Sequence, residues 1–318
     1  MARIGGLHHI TAIAGDPQEN LDFYAGTLGM RLVKKSVNQD DPGTYHFFFA
    51  DGAGTPGTDL TFFPWTRLAP GREGAGLTVE VPLAVPADSL AFWSARLEER
   101  GVPLGGVRER FGEAALPFRD PHGLALSLVA TADDREFVPW RNGPVPAEHQ
   151  IRGLHAANLT ESDLAATAEF LTKVLGFRHT RTEGDWHRFE VAGGGSGAIA
   201  DVQERPGTPR GRWGTGAVHH VAWRVADDES QVAMRGRLAR AGGTPTEVID
   251  RFWFKSVYCS EPGGVLFELA TDGPGFAVDE APEALGTKLI LPPWLEPQRR
   301  EIEGMLPQVQ PPGVRQGG

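Results

Sequence analysis

Apolar residues in this chain come in short bursts separated by glycine, proline and polar turns. Leu7 to Ile13 is one burst; Tyr45 to Ala50 and Leu60 to Phe63 are two more, rich in Phe and Thr. Runs of that length bounded by turn residues read as strands. Between the first two, Leu21, Tyr24 and Leu28 recur at helical spacing. Asp16 suits the N-cap of that helix, Pro17 its first position, and Gly29 the glycine that ends it. The unit is therefore a strand, a helix and about three more strands, βαβββ.

The unit repeats. GLHHITAIAGDPQENLDFYAGTLGMR from Gly6 aligns without a gap onto GLHAANLTESDLAATAEFLTKVLGFR from Gly153. At a second offset, Arg110-Phe111 aligns onto Arg251-Phe252, and DPHGLALSL from Asp120 onto EPGGVLFEL from Glu261. The chain thus reads as an α+β protein of four βαβββ modules in two tandem halves. One such sheet has an apolar face it cannot bury alone, so paired modules are expected to curl into cup-shaped mixed sheets. The expected boundaries are residues 1–131 for modules 1 and 2, 132–151 for an ordered linker, 152–272 for modules 3 and 4, and 273–318 for a tail. The Gly/Pro/Gln-rich end of that tail reads as disordered.

Composition narrows the function. The 318 residues carry 31 Lys and Arg against 41 Asp and Glu, a formal charge of −10. An acidic chain without basic clusters is a poor nucleic-acid binder, which excludes that class. Its start is too short and polar for a signal peptide, and no window reaches the ~18 apolar residues of a membrane span. With one cysteine, Cys259, no internal disulfide is available. A cytoplasmic location without membrane partners is the expectation, and whether the protein is a homo-oligomer stays open.

The repeats also serve as an internal control for chemistry. The first-strand position of His220 is matched by His9, Val79 and Ala156: two imidazoles and two small apolar residues. The last-strand position of Glu268 is matched by Phe62, Ser127 and Asp201. Glu268 stands in the otherwise apolar VLFELA, where a buried carboxylate needs a partner. Two histidines and one carboxylate are the set that holds non-haem Fe(II) in oxygenases, and it serves Mn(II) as well. A four-ligand isomerase site would need a second carboxylate where Phe62 stands. Asp59, three residues away, has the opposite strand parity. Asp201 has no imidazole at the matching first strands and reads as structural.

Other polar residues carry two readings each. His8, His155 and His219 precede the ligand position and, in a regular strand, point the other way. Arg251 has a counterpart in Arg110, so it either closes a turn or orients substrate. Tyr258 is either a half-buried barrel tyrosine or a hydrogen-bonding and proton-carrying phenol. His46, in TYHFFFA, could line the inner face of the first module. His122, His149, His179 and His187 read as surface or turn residues.

Together, GLHHITAIAGDPQENLDFYAGTLGMRLVKK, YHFFFADGAGTPGTDLTFFP, VHHVAW, YCSEPGGVLFE and the later LPPWLEPQRREIE resemble the vicinal-oxygen-chelate superfamily. More narrowly, they resemble its hydroquinone-type ring-cleaving dioxygenases. The resemblance implies paired βαβββ modules, with modules 1 and 4 sharing a cup. It implies a mononuclear Fe(II) site of His9, His220 and Glu268, and cleavage of a hydroquinone- or catechol-type diol with O2. It implies supporting roles for His8, Tyr258 and Arg251, His8 and Tyr258 being the acid–base candidates. The alternatives are a metal-dependent, glyoxalase-like isomerase or lyase, and a non-catalytic small-molecule-binding protein.

Overall fold

The computed structural model describes residues 2–132 and 135–311; the glutamine- and glycine-rich end predicted to be disordered lies largely outside them. In the first module the strand Leu7–Ala14 leads to a short helix, Pro17–Leu21, that continues as a π-helical turn, Asp22–Thr27. The Asp16 side chain accepts from the backbone N–H groups of Gln18 and Glu19, so the expected cap is present. Gly29 follows in the left-handed region at φ +69°. The strands Arg31–Asn38, Asp41–Ala50 and Asp59–Pro64 complete the module.

The other modules repeat this grammar and build two mixed sheets. The first-module strands join those of the fourth: Val218–Val225, Ile249–Asp250, Lys255–Ser260 and Leu266–Thr271. The second and third modules make the other sheet. Each sheet therefore takes one module from each half of the sequence, and its central seam is an antiparallel pairing of two first strands: Leu7–Ala14 with Val218–Val225, and Leu77–Pro86 with Ala156–Glu161. Burial drives this assembly. The outer apolar faces and their helices pack into one core that includes Tyr24, Phe47, Phe62, Trp93 and Trp223.

A second, smaller cluster sits inside the cup of modules 1 and 4. Val33, Phe48, Trp253, Phe254, Phe276 and Leu285 close its bottom. The segment after Thr271 straps across this plug. Lys34, a fully buried lysine, meets Asp279 at 2.6 Å and Glu280 at 2.5 Å from that strap. No helix among the described residues is long and apolar enough to cross a membrane.

Register corrects three of the sequence alignments. Ala222 pairs with Glu268, and Thr11 with Thr61. The first-module counterpart of Glu268 is therefore Thr61, not Phe62, which faces the outer core and packs 4.3 Å from the Tyr24 ring. Asp59, the partner of His9 in the ladder, shares the ligand face rather than opposing it. In the second module, Asn158 pairs with Glu80, so Glu80, not Val79, stands where His220 does.

Candidate metal centre

His9, His220 and Glu268 come from three adjacent strands and point into the cup of modules 1 and 4. All three are almost completely buried. Among the described residues they are the one set of three His, Cys, Asp or Glu side chains whose ligand atoms lie within 4.8 Å of one another. His9 Nε2 and His220 Nε2 are 3.2 Å apart, and Glu268 Oε2 lies 3.4 Å from the first and 3.0 Å from the second. Three ligands on one octahedral face, with bonds of about 2.1 Å, sit ~3.0 Å apart.

The hydrogen bonds behind the triad set its tautomers. His8 Nε2 lies 3.1 Å from the carbonyl of Thr271, which can only accept. The neutral His8 ring therefore presents Nδ1 as an acceptor, and His9 Nδ1, 2.9 Å away, donates to it. That leaves a lone pair on His9 Nε2. Glu268 Oε2 has no assigned hydrogen-bond donor despite its burial. A His220 ring that donates from Nδ1 to His219 Nδ1, 2.8 Å away, presents a second lone pair on Nε2. Three lone-pair donors facing one another repel unless a cation lies among them. The donor set fits a divalent metal on that ground, with Ser256 Oγ holding the other carboxylate oxygen, Glu268 Oε1, at 2.5 Å.

Burial pushes the Glu268 carboxyl up, and positive charge and N–H donation on the His9 and His220 side pull it further down, well below the usual carboxylate range. A cation held by lone-pair imidazoles would put positive charge in the same place. Burial and the neighbouring ligand histidine lower His8 and His219 to about 3, so both stay neutral.

The expectation that His8 and His219 point away from the site fails for a specific reason. Leu7 pairs with Trp223 but His9 with Ala222, and Thr11 pairs with His220 but Ala12 with Val218. His8 and His219 are each the extra residue of a β-bulge, which turns the ring back toward its neighbour. His8 nevertheless lies behind His9 and does not line the cavity; His219 does.

The three candidate ligands face a cavity of about 510 Å³, walled by Phe48, Phe63, Trp65, Trp253 and Phe254. Tyr258, Arg251 and His46 line it with the two ligand histidines. The Tyr258 ring meets His220 edge-on at 5.5 Å, and the Arg251 guanidinium lies 5.7 Å from its centroid. Arg251 is tied to Asp40 at 2.8 Å. Burial and the nearby Glu268 charge raise the Tyr258 phenol, against the pull of Arg251, so it stays protonated. Burial and the ligand histidines push His46 well below its usual value. Its Nε2 is 3.0 Å from Thr61 Oγ1, which in turn lies 2.7 Å from Thr11 Oγ1. Sequence reasoning missed Thr61, and the phenylalanine beside it gave no signal.

Among the described residues, the cup of modules 2 and 3 holds no equivalent. Ala156, Glu80 and Ser127 occupy the matching positions. Arg188 clamps Asp201 through two bonds of 2.9 and 2.8 Å and reaches Glu113 at 2.7 Å. The structural reading of Asp201 agrees with that ion pair, which fills the space an open site would need.

Comparison with known proteins places this arrangement. A sequence model described as the glyoxalase/bleomycin resistance protein/dioxygenase superfamily matches residues 6–128 and 153–269. A Bacillus subtilis (strain 168) protein named "Putative ring-cleaving dioxygenase MhqO" is 46% identical over 303 residues, covering 95% of this chain and 96% of that one. A Sphingobium indicum protein named chlorohydroquinone/hydroquinone 1,2-dioxygenase is 36% identical, covering 94% and 95%. The crystal structure of a Bacillus subtilis protein named "putative dioxygenase" superposes with a TM-score of 0.93 at 44% identity, over 98% of this chain and 99% of that one. The chain belongs to the glyoxalase/bleomycin resistance protein/dioxygenase superfamily, alongside relatives named ring-cleaving dioxygenases.

Proposed function

We propose that this protein is an Fe(II)-dependent ring-cleaving dioxygenase acting on a hydroquinone-type aromatic diol. One observation carries the reading: two imidazole nitrogens and one carboxylate oxygen, 3.0 to 3.4 Å apart, form a three-ligand face at the floor of an aromatic cavity. Three protein ligands leave positions for substrate and O2, the pattern of non-haem iron oxygenases. Thr61, where a four-ligand site would carry a carboxylate, counts against isomerase chemistry. The relative named chlorohydroquinone/hydroquinone 1,2-dioxygenase supports the substrate class.

Iron held by His9, His220 and Glu268 would supply the electron transfer between diol and O2 that ring cleavage requires. The chain's own residues do the rest. The aromatic walls exclude water and hold a planar ring. The protonated Tyr258 hydroxyl donates to a substrate oxygen or delivers a proton as the ring opens. Arg251, fixed by Asp40, orients that phenol. His46 stays neutral and packs 3.9 Å from Phe48 on the side of the cavity wall. His8 holds the His9 ring from behind, so it acts as a positioning residue, and Tyr258 remains the acid–base candidate.

Anaerobic purification with metal analysis, followed by O2 uptake on catechols and hydroquinones, tests the reading. About one iron per chain and uptake that depends on a diol are expected. Metal without uptake on any diol would leave an isomerase or lyase instead.

A further inference from the structure

Beside the metal cavity lies a larger groove of about 850 Å³, and Trp65 and His219 line both. Among the described residues nine large hydrophobic side chains are exposed, and three of them, Leu68, Trp213 and Met305, converge on this groove. Scattered apolar side chains need no explanation, but a contiguous set beside a site marks a binding surface. Arg67 is the one residue of the lining with a formal charge, so the surface suits an uncharged, apolar occupant. Its walls are held in place. Tyr45 donates to the Pro307 carbonyl at 2.9 Å, anchoring the C-terminal segment that carries Met305. The Trp65 indole donates to Asp41 at 2.8 Å, and Trp213 stacks on His219 at 4.8 Å and 22°.

We propose that this groove receives an apolar substituent on the ring of the diol, so that the preferred substrates are hydroquinones bearing an alkyl or similar chain. The inference rests on the dioxygenase reading for the identity of the ring. The shared aromatic walls argue for it: a ring seated at the triad has the Trp65–His219 boundary as its border with the groove, and a chain directed there leaves water for an apolar surface. Each methylene so buried tightens binding by roughly two- to fourfold.

The test uses the full chain loaded with Fe(II) and a series of hydroquinones with linear 2-alkyl groups of increasing length. Two readouts are taken: kcat/KM from O2 uptake, and affinity by anaerobic calorimetry. Both should rise stepwise with chain length and then level off. Met305→Glu and Leu68→Glu, changes at exposed positions, should each flatten that dependence and lower the long-to-short preference at least tenfold. Turnover of unsubstituted hydroquinone with no gain along the series would overturn the groove assignment and leave the dioxygenase reading intact. No turnover of any diol would sink the dioxygenase reading. Calorimetry would then decide the groove alone, a chain-length dependence abolished by Met305→Glu supporting it and its absence overturning it. A change in oligomeric mass on Met305→Glu, with the chain-length preference untouched, would make the groove a contact between copies and also overturn the inference.

Discussion

Glu268 is fully buried and yet held ionised, which takes positive charge beside its Oε2. That oxygen faces the Nε2 atoms of His9 and His220, whose Nδ1 atoms lie in hydrogen-bond contact with His8 and His219. His9→Ala, His220→Ala and Glu268→Ala should each abolish metal retention and activity together. Metal analysis of the purified variants checks this, and normal metal content in any of them would remove that residue from the ligand set. Tyr258→Phe should keep the metal and lower kcat by about 10²- to 10⁴-fold, the usual contribution of a placed acid or base. Unchanged turnover would take the phenol out of the mechanism.

At the scale of elements, two bulges build the site. A regular strand alternates its side chains, so His8-His9 and His219-His220 would each send one ring away from the cup. The extra residue in each first strand brings both rings of a pair into hydrogen-bond contact instead. The helix of the first module shows how tightly such elements meet their surroundings. Gly29 ends it at φ +69°, and a Cβ there would lie 2.5 Å from the Val145 side chain of the linker. Gly29→Ala should therefore cost about 2 kcal/mol or more, from left-handed strain and overpacking combined. Denaturant unfolding measures it, and a loss below about 0.5 kcal/mol would show that the linker yields.

At the scale of the molecule, two acids meet where the sheets join. Glu161 ends a strand of one sheet and Glu261 precedes a strand of the other, and both are buried. Thr167 Oγ1 donates to Glu261 Oε2 at 2.6 Å, and the Val265 amide to Oε1 at 2.9 Å. Glu261 is thus the partner supplied with donors, and burial beside it raises Glu161 to about 8. A carboxyl whose pKa is raised on folding stabilises the native state fully below its unfolded value of about 4.5, and loses that contribution as pH rises through about 8. The melting temperature of the metal-free protein should fall between pH 5 and pH 8, and Glu161→Gln should flatten the fall and raise the value at pH 8. Parallel profiles for the two proteins would show that the pair carries no shared proton.

Much of this was legible in one dimension. The βαβββ grammar follows from local physics, since strand and helix periods, the Asp16 cap and the terminal Gly29 act within a few residues of themselves. His9, His220 and Glu268 stood out because repeated modules compare a polar residue with its own apolar counterparts. What the sequence could not contain is register. A single bulged residue changes which side chains share a face, and its cause is a pairing partner that lies from 50 to more than 200 positions away. Hence Thr61 rather than Phe62, Glu80 rather than Val79, and His8 turned back toward His9 were decided only by the ladder. The resemblance implied that modules 1 and 4 share a cup, but tertiary structure decided which cup stayed open and which filled with the Arg188–Asp201 ion pair. It also brought Trp65 and His219 together as the common wall of two cavities. Those are contacts between distant segments, and their energies exist only once the chain has closed.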